Sequence, residues 1–220
     1  MKLTKFGQSC ILIETKKKRI LVDPGYLELD KDIQINYWKD IDVILITHKH
    51  GDHYDKEAVK KILENKKTKI YTSKESAEFQ SEIKSNIVKQ GDKIKLGEIT
   101  IDVVKAVHGY LPYLEGEKEI NENIGFMIND RDKTAYITSD TICFKNDYKC
   151  DIVIVPVSGH GLVMGPYEAA LFAKETEAKL VIPTHYDNPK FPVNLEDLKI
   201  QFEKQDLNYK ILEIKESIEF

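Results

Sequence analysis

Seven consecutive residues, Thr47-His48-Lys49-His50-Gly51-Asp52-His53, hold three of the chain's six histidines and one carboxylate. Imidazoles joined by a carboxylate suit Zn, Fe, Mn or Ni better than Ca or Mg, which favour oxygen ligands. His48 and His50 fall on the same side of an extended chain, so both can reach one cation. Asp52 and His53 can reach round to a second, with Gly51 giving the backbone freedom to turn between them. The chemistry implied is that of a metal-activated water.

The position of this stretch fits that chemistry. Ile41 to Thr47 reads as a buried strand, so the cluster is the loop at a strand's end. Ligand-type residues recur in the same place. His108 follows a strand at 99–107, Asp140 one at 134–138, His160 one at 151–157 and His185 one at 180–182. A single histidine at a strand end is more often structural than a ligand. Five strands ending in His or Asp can instead converge at one edge of a sheet, where loops shape a pocket.

The elements that must position these residues follow from periodicity and turn chemistry. Residues 9–14 and 20–22 read as strands joined by a hairpin at Lys16-Lys17-Lys18, closed by a turn at Asp23-Pro24-Gly25, where Pro presets φ and Gly allows a positive φ. Residues 26–40, with Tyr37 and Trp38, read as a loop or short helix near the site mouth. Asp55 can cap a helix to about Asn65 and Ser73 another to about Ile83. Short strands are expected at 69–72, 87–88, 92–96 and 99–106, with Gly91 and Gly97 in the turns, and a polar loop from Tyr110 to Asn123. Strands 124–128 and 134–138 flank a hairpin turn; Gly165-Pro166 opens a helix; a last helix spans 195–204 and a strand at 209–213 closes the chain. Each half runs from a β-meander into strand–helix alternation, which predicts two similar halves packed as an α/β sandwich in one domain, 1–220.

Bulk properties exclude several classes. With 41% hydrophobic and 32% charged residues, the composition is that of a water-soluble globular chain. The net charge is -4 and lysines are scattered among glutamates, so no basic block exists to grip a nucleic acid. No run approaches the roughly 20 apolar residues of a membrane span, and no signal-peptide core is present. Cys10, Cys143 and Cys150 are odd in number and lack metal spacing, which fits free thiols in the cytoplasm.

The pattern Thr-His-x-His-x-Asp-His, followed at a distance by His, Asp and His, resembles the metallo-β-lactamase superfamily of metal-dependent hydrolases. The resemblance spans nearly the whole chain. A finer resemblance, to ascorbate-6-phosphate lactonase-like proteins and small uncharacterised metal-dependent hydrolases, rests on Gly7 to Glu14, Ile20 to Pro24, Met164 to Ala170 and Val181 to Tyr186. The superfamily implies a four-layer αβ/βα sandwich of two mixed sheets flanked by helices, with the site at one edge between the sheets. It also implies ligands: His48, His50 and His108 for one divalent ion; Asp52, His53 and His185 for another; and Asp140 bridging. Zn is the expected metal, with Mn, Fe and Ni accepted by the same set.

A water or hydroxide shared by two such cations would attack a small-molecule ester, lactone or phosphodiester. Asp52 could also accept the nucleophile's proton. His160, between Gly159 and Gly161, could donate to an oxyanion or act as a general acid, or be a loop histidine without duty. Asp23 could orient a ligating imidazole or simply cap its turn. Tyr37, Trp38, Tyr110, Tyr113 and Tyr186 are pocket or packing residues, Cys143 reads as a small buried hydrophobe, and Glu115, Glu117 and Glu119 as a solvated loop face. Three rivals remain. A nuclease is opposed by the acidic balance and the absence of an added basic domain. Di-iron redox relatives usually carry Glu where this chain has His50, and no flavin domain follows. A non-catalytic binding protein is opposed by the complete ligand set. Homo-oligomerisation is left open.

Overall fold

The structure is a computed structural model and describes residues 1–25, 37–64, 68–112, 116 and 119–220. In chain order, the first half forms β1 (Lys2–Lys5), β2 (Ile11–Glu14), β3 (Arg19–Val22), β4 (Val43–Leu45), α1 (Lys56–Leu63), β5 (Lys69–Thr72), α2 (Lys74–Phe79) and β6 (Asn86–Ile87). The second forms β7 (Lys93–Leu96), β8 (Ile99–Lys105), β9 (Ile124–Asp130), β10 (Lys133–Ile137), β11 (Ile152–Pro156), α3 (Pro166–Glu175), β12 (Leu180–Thr184), α4 (Leu195–Lys204) and β13 (Ser217–Glu219).

The strands assemble into two mixed sheets of matching design. The first has the order β13-β1-β2-β3-β4-β5-β6 and the second β12-β11-β10-β9-β8-β7. In the first, β1, β2 and β3 pair antiparallel while β3 to β6 pair parallel. In the second, β7 to β10 pair antiparallel and β10 to β12 parallel. Each meander thus leads into a parallel half that needs helical crossovers, as the two-halves reading of the sequence predicts.

Period-two side-chain alternation builds the layers. Ile11, Ile13, Ile20, Val22, Val43 and Leu45 face the second sheet's Ile101, Val103, Phe126, Ile128, Ile152 and Ile154 in one central core. The intervening Leu12, Leu21 and Ile44 face outward onto Ala58 and Val59 of α1. On the far side, Val153, Val155 and Val181 pack against Ala169, Phe172 and Ala173 of α3 and Leu198 and Phe202 of α4. The result is an α/β sandwich with helices on both outer faces. Strands buried on both faces explain the unbroken apolar runs Val43 to Ile46 and Ile152 to Val157.

Local chemistry sets the helix starts. The Asp55 carboxylate accepts from the Ala58 N–H and the Ser73 hydroxyl from the Ser76 N–H. Gly165 precedes Pro166 at the first helical position, and Asn194 accepts from two amides of α4. Three expectations need correction. α2 stops at Phe79 because Gln80 leaves the helical region at φ -113 and ψ 52. The 209–213 segment is no strand: it touches β12 through one bridge at Tyr209, and the chain closes instead with β13 on β1. Gly25 has no positive φ; Asp23, at φ 48, makes the turn. Residues 26–36 of the expected mouth loop lie outside the described residues.

Candidate metal centre

The loops after β4, β8, β10 and β12 meet at one edge and bring all seven candidate ligands together. Three overlapping triads have their ligand atoms within 4.8 Å of one another: His48, His50 and His108; His48, His53 and Asp140; and Asp52, His53 and His185. His48 Nε2 lies 3.2 Å from His50 Nδ1. Asp140 Oδ2 lies 3.3 Å from His53 Nε2 and 3.1 Å from His185 Nε2, and Asp52 Oδ2 is 3.5 Å from the latter. The middle triad shares His48 with the first and His53 with the last, so two candidate metal-binding clusters are joined through buried residues, as a dinuclear centre requires.

In His48, His53 and His108 the far side of the imidazole decides which nitrogen is available. His53 Nδ1 donates to Asp23 Oδ2 at 2.8 Å and His108 Nδ1 to the Gly109 carbonyl at 2.8 Å. Thr47 Oγ1 donates to Asp23 Oδ2, so His48 Nδ1, 3.0 Å away, donates to Thr47 Oγ1. These bonds leave the Nε2 lone pairs directed inward. Nε2 of His53, His108 and His185 and Oδ1 of Asp140 are buried without a hydrogen-bond partner. Buried donors and acceptors are rarely left so, and here they fit a cation that takes electron pairs from all of them.

Electrostatics tell the same story. Burial, with the neighbouring His53, pushes His48 well below its ordinary value, and burial also lowers His108. Both are neutral and ready to ligate. Burial opposes charge on His53 and His185 too, but Asp140 and its fellow carboxylates win, holding His53 well above its ordinary value and His185 up to about 10. Against the same burial, His185 and His53 hold Asp140 well below the usual carboxylate range, and His185 first among its partners takes Asp52 to about 2. In the metal-free chain, protons on two imidazoles supply the positive charge that the carboxylates demand.

Asp23 is the hinge of this arrangement. Its carboxylate is fully buried, and it accepts from His53, the Thr47 hydroxyl and the Thr47 N–H at 2.8 Å each. Gly25 serves by close approach, since a Cβ there would lie 1.9 Å from the Asp52 carbonyl oxygen. We expect Asp23→Ala to weaken metal affinity by roughly 10- to 100-fold, the usual cost of losing such a partner. Competition titration with a metal-sensitive dye checks this; unchanged affinity would make Asp23 a turn residue only.

The profile of the Beta-lactamase superfamily domain matches residues 2–185. A UPF0173 metal-dependent hydrolase of Bacillus cereus is 32% identical, over 99% of both chains. The chain belongs to the metallo-β-lactamase superfamily. Another UPF0173 metal-dependent hydrolase, from Korarchaeum cryptofilum, is 30% identical over 98% of this chain and 96% of its own. Among solved structures, a metallo hydrolase from Ignicoccus hospitalis superposes with a TM-score of 0.81 at 24% identity, over 100% of this chain and 98% of that one.

Other candidate residues of this superfamily member scatter. His160 sits half-buried at the mouth, its ring 6.2 Å from that of His185 and 4.7 Å from that of Phe191. Trp38 is buried under the first sheet, and Tyr186 donates to the Leu212 carbonyl beneath Lys5, so both are packing residues. Cys143 is exposed, not buried, because it follows Ile142 out of the Asp140 loop. Gly51 takes no left-handed φ; the motif turns because the His53 and Tyr54 amides both donate to the His50 carbonyl. Tyr113, Glu115 and Glu117 lie outside the described residues.

Three supports carry no motif signal. Asn123 donates to the Asp140 carbonyl at 2.5 Å and accepts from Ser139. Lys49, inside the motif, pairs with Glu75 at 2.9 Å, and Glu75 also accepts from the Asn121 and Glu122 amides. This clasp fixes the end of the 109–123 loop against the metal loop. Four non-glycine residues of the site edge have left-handed φ: Gln8 at 52°, Asp23 at 48°, Ser139 at 66° and His185 at 65°. Such strain gathers at functional sites.

Proposed function

We propose that this chain is a metal-dependent hydrolase with a dinuclear centre, cleaving an ester, lactone or phosphodiester of a small or medium molecule. The observation that carries the reading is Asp140, a carboxylate oxygen of which lies within 4.8 Å of the ligand nitrogens of His48, from one triad, and His53, from the other, while its Oδ1 is buried without a partner. One cation would be held by His48, His50 and His108, another by Asp52, His53 and His185, with Asp140 shared; zinc is the expected metal, with Mn, Fe or Ni accepted by the same donors. Two divalent cations supply Lewis acidity and lower the pKa of water toward neutrality.

The chain's own groups do the rest. Asp52 is held ionised and keeps part of its carboxylate toward solvent, so it can accept a proton from the attacking water. Burial holds His160 below its ordinary value. As a neutral imidazole at the mouth, it can donate an N–H to the oxygen on which charge develops. The finer resemblance to ascorbate-6-phosphate lactonase-like proteins makes a lactone the first substrate to try. No disulfide joins Cys10, Cys143 and Cys150, which supports a cytoplasmic setting. Among the described residues no helix is long and apolar enough to cross a membrane.

Metal analysis of the purified protein, followed by a screen of lactones, phosphodiesters and phosphorylated sugars, tests the reading. Two equivalents of metal and turnover are expected. Asp52→Ala should abolish turnover, and His160→Gln should lower kcat while leaving metal content intact. A replete protein with near-normal turnover in Asp52→Ala would remove Asp52 from its role, and unchanged kinetics in His160→Gln would remove His160.

A further inference from the structure

Beside the metal centre a small cavity of about 60 Å³ opens against His108. Its walls are Tyr110, Leu111, Ile120 and Leu162, and Glu119 stands at its side. It exists because two loops close on each other there. The Gly109 amide donates to the Leu162 carbonyl at 2.7 Å, and a Cβ on Gly109 would lie 2.1 Å from the Gly161 carbonyl oxygen. Gly161, at φ 88, would bring its own Cβ within 3.2 Å of the Leu111 side chain. The two glycines therefore set the width of the slot. His108 Nε2, buried and without a partner, marks its end nearest the reacting atoms.

Charge decides what the slot can take. Its described lining contains one carboxylate and no lysine or arginine. The neighbouring loops 139–144 and 157–165 and the described residues 107–112 contain no lysine or arginine either, and Lys118, next to Glu119, lies outside the described residues. Lys49 is engaged by Glu75 and Lys5 by Asp187. On loop 185–193 the one lysine or arginine is Lys190, and it is exposed. An anionic group inside the slot would face Glu119, whereas an apolar arm would meet three aliphatic side chains and a tyrosine ring.

We infer that this slot binds the short, uncharged apolar arm of an ester or lactone. The inference rests on the hydrolase reading and narrows its substrate class. The test compares p-nitrophenyl acetate, p-nitrophenyl butyrate and mono-p-nitrophenyl succinate on the metal-loaded protein. Acetate to butyrate should raise kcat/KM by about fourfold per methylene, the gain expected for burying each. The anionic succinate ester should fall at least roughly tenfold below butyrate, and Glu119→Lys should close that gap. Leu162→Trp should fill the slot and abolish the length dependence.

A second readout needs no turnover. In the metal-free protein, N-phenylbutyramide should shift the Leu111, Ile120 and Leu162 methyl resonances and spare those of the central core. A preference for the succinate ester, or equal rates along the acyl series without methyl shifts, overturns the inference and leaves the hydrolase standing. Methyl shifts with no cleavage of any ester or of bis(p-nitrophenyl) phosphate by a protein holding two metal equivalents overturn the hydrolase reading and leave the slot.

Discussion

Replacing Asp140 by alanine is expected to lower kcat roughly a hundredfold or more and to drop bound metal below two equivalents. The scale is that of removing a group that orients a metal site. The reason is its place between the triads. A carboxylate oxygen of Asp140 lies within 4.8 Å of the ligand nitrogens of His48, from one proposed set, and His53, from the other, so it is an oxygen donor positioned for both proposed cations. The backbone should hold its course in the variant, because Asn123 binds the residue 140 carbonyl and the Ile142 amide binds Val107. Metal analysis beside kinetics separates the outcomes. Full metal occupancy with wild-type turnover would refute the shared role.

Chelation should lower the melting temperature by roughly 10 °C. The proposed ligands come from loops of both sheets, so a cation held by them would tie the halves together and bind the folded chain alone. At a thousandfold excess over Kd this linkage contributes about 4 kcal/mol, and a domain of this size shifts by about 2–4 °C per kcal/mol. The loss has a pH dependence whose sign follows from His185. Its folded pKa, about 10, lies above its ordinary 6.5. The metal-free chain therefore gains stability from the protonated imidazole in full below pH 6.5 and loses it as pH rises toward 10. Cation binding must displace that proton, so it strengthens over the same range. The gap between loaded and chelated protein should widen from about pH 6 to about pH 9. Paired thermal melts with and without EDTA across that range measure it; a constant or shrinking gap would contradict the electrostatics.

How much of this was legible beforehand depended on whether the signal was local. The His48 to His53 cluster announces itself because its ligands crowd into one loop. His108, Asp140 and His185 are legible only as strand ends that share a direction, and the period-two alternation of Ile11 to Ile13 or Ile152 to Val155 supplies that direction. Asp23 is half legible: an acid at a strand end can be suspected, but its three bonds to His53 and Thr47 arise from parallel pairing of β3 with β4. Gly25, Asn123 and the Lys49–Glu75 clasp are invisible in the sequence because their partners are 16 to 27 residues away and set by packing. The closing strand was misplaced for a related reason. Residues 209–213 have the better apolar pattern, but the open edge of the first sheet lies at β1, and Ser217–Glu219 occupies it.

The left-handed residues at 8, 23, 139 and 185 have a consequence for how such a chain can evolve. Each holds a conformation costing about 1–2 kcal/mol for an L-residue. Glycine at Gln8 or Ser139 would relax that backbone, so selection for heat tolerance alone would favour it there. Yet the Gln8 backbone carbonyl, which glycine would keep but hold less rigidly, accepts from the His185 amide, and Ser139 immediately precedes Asp140. A lineage that grew hardier by this route would surrender the rigidity of its ligands. Heat tolerance and turnover compete for the same few backbone angles, and durable variants must find their gains in the helical layers instead.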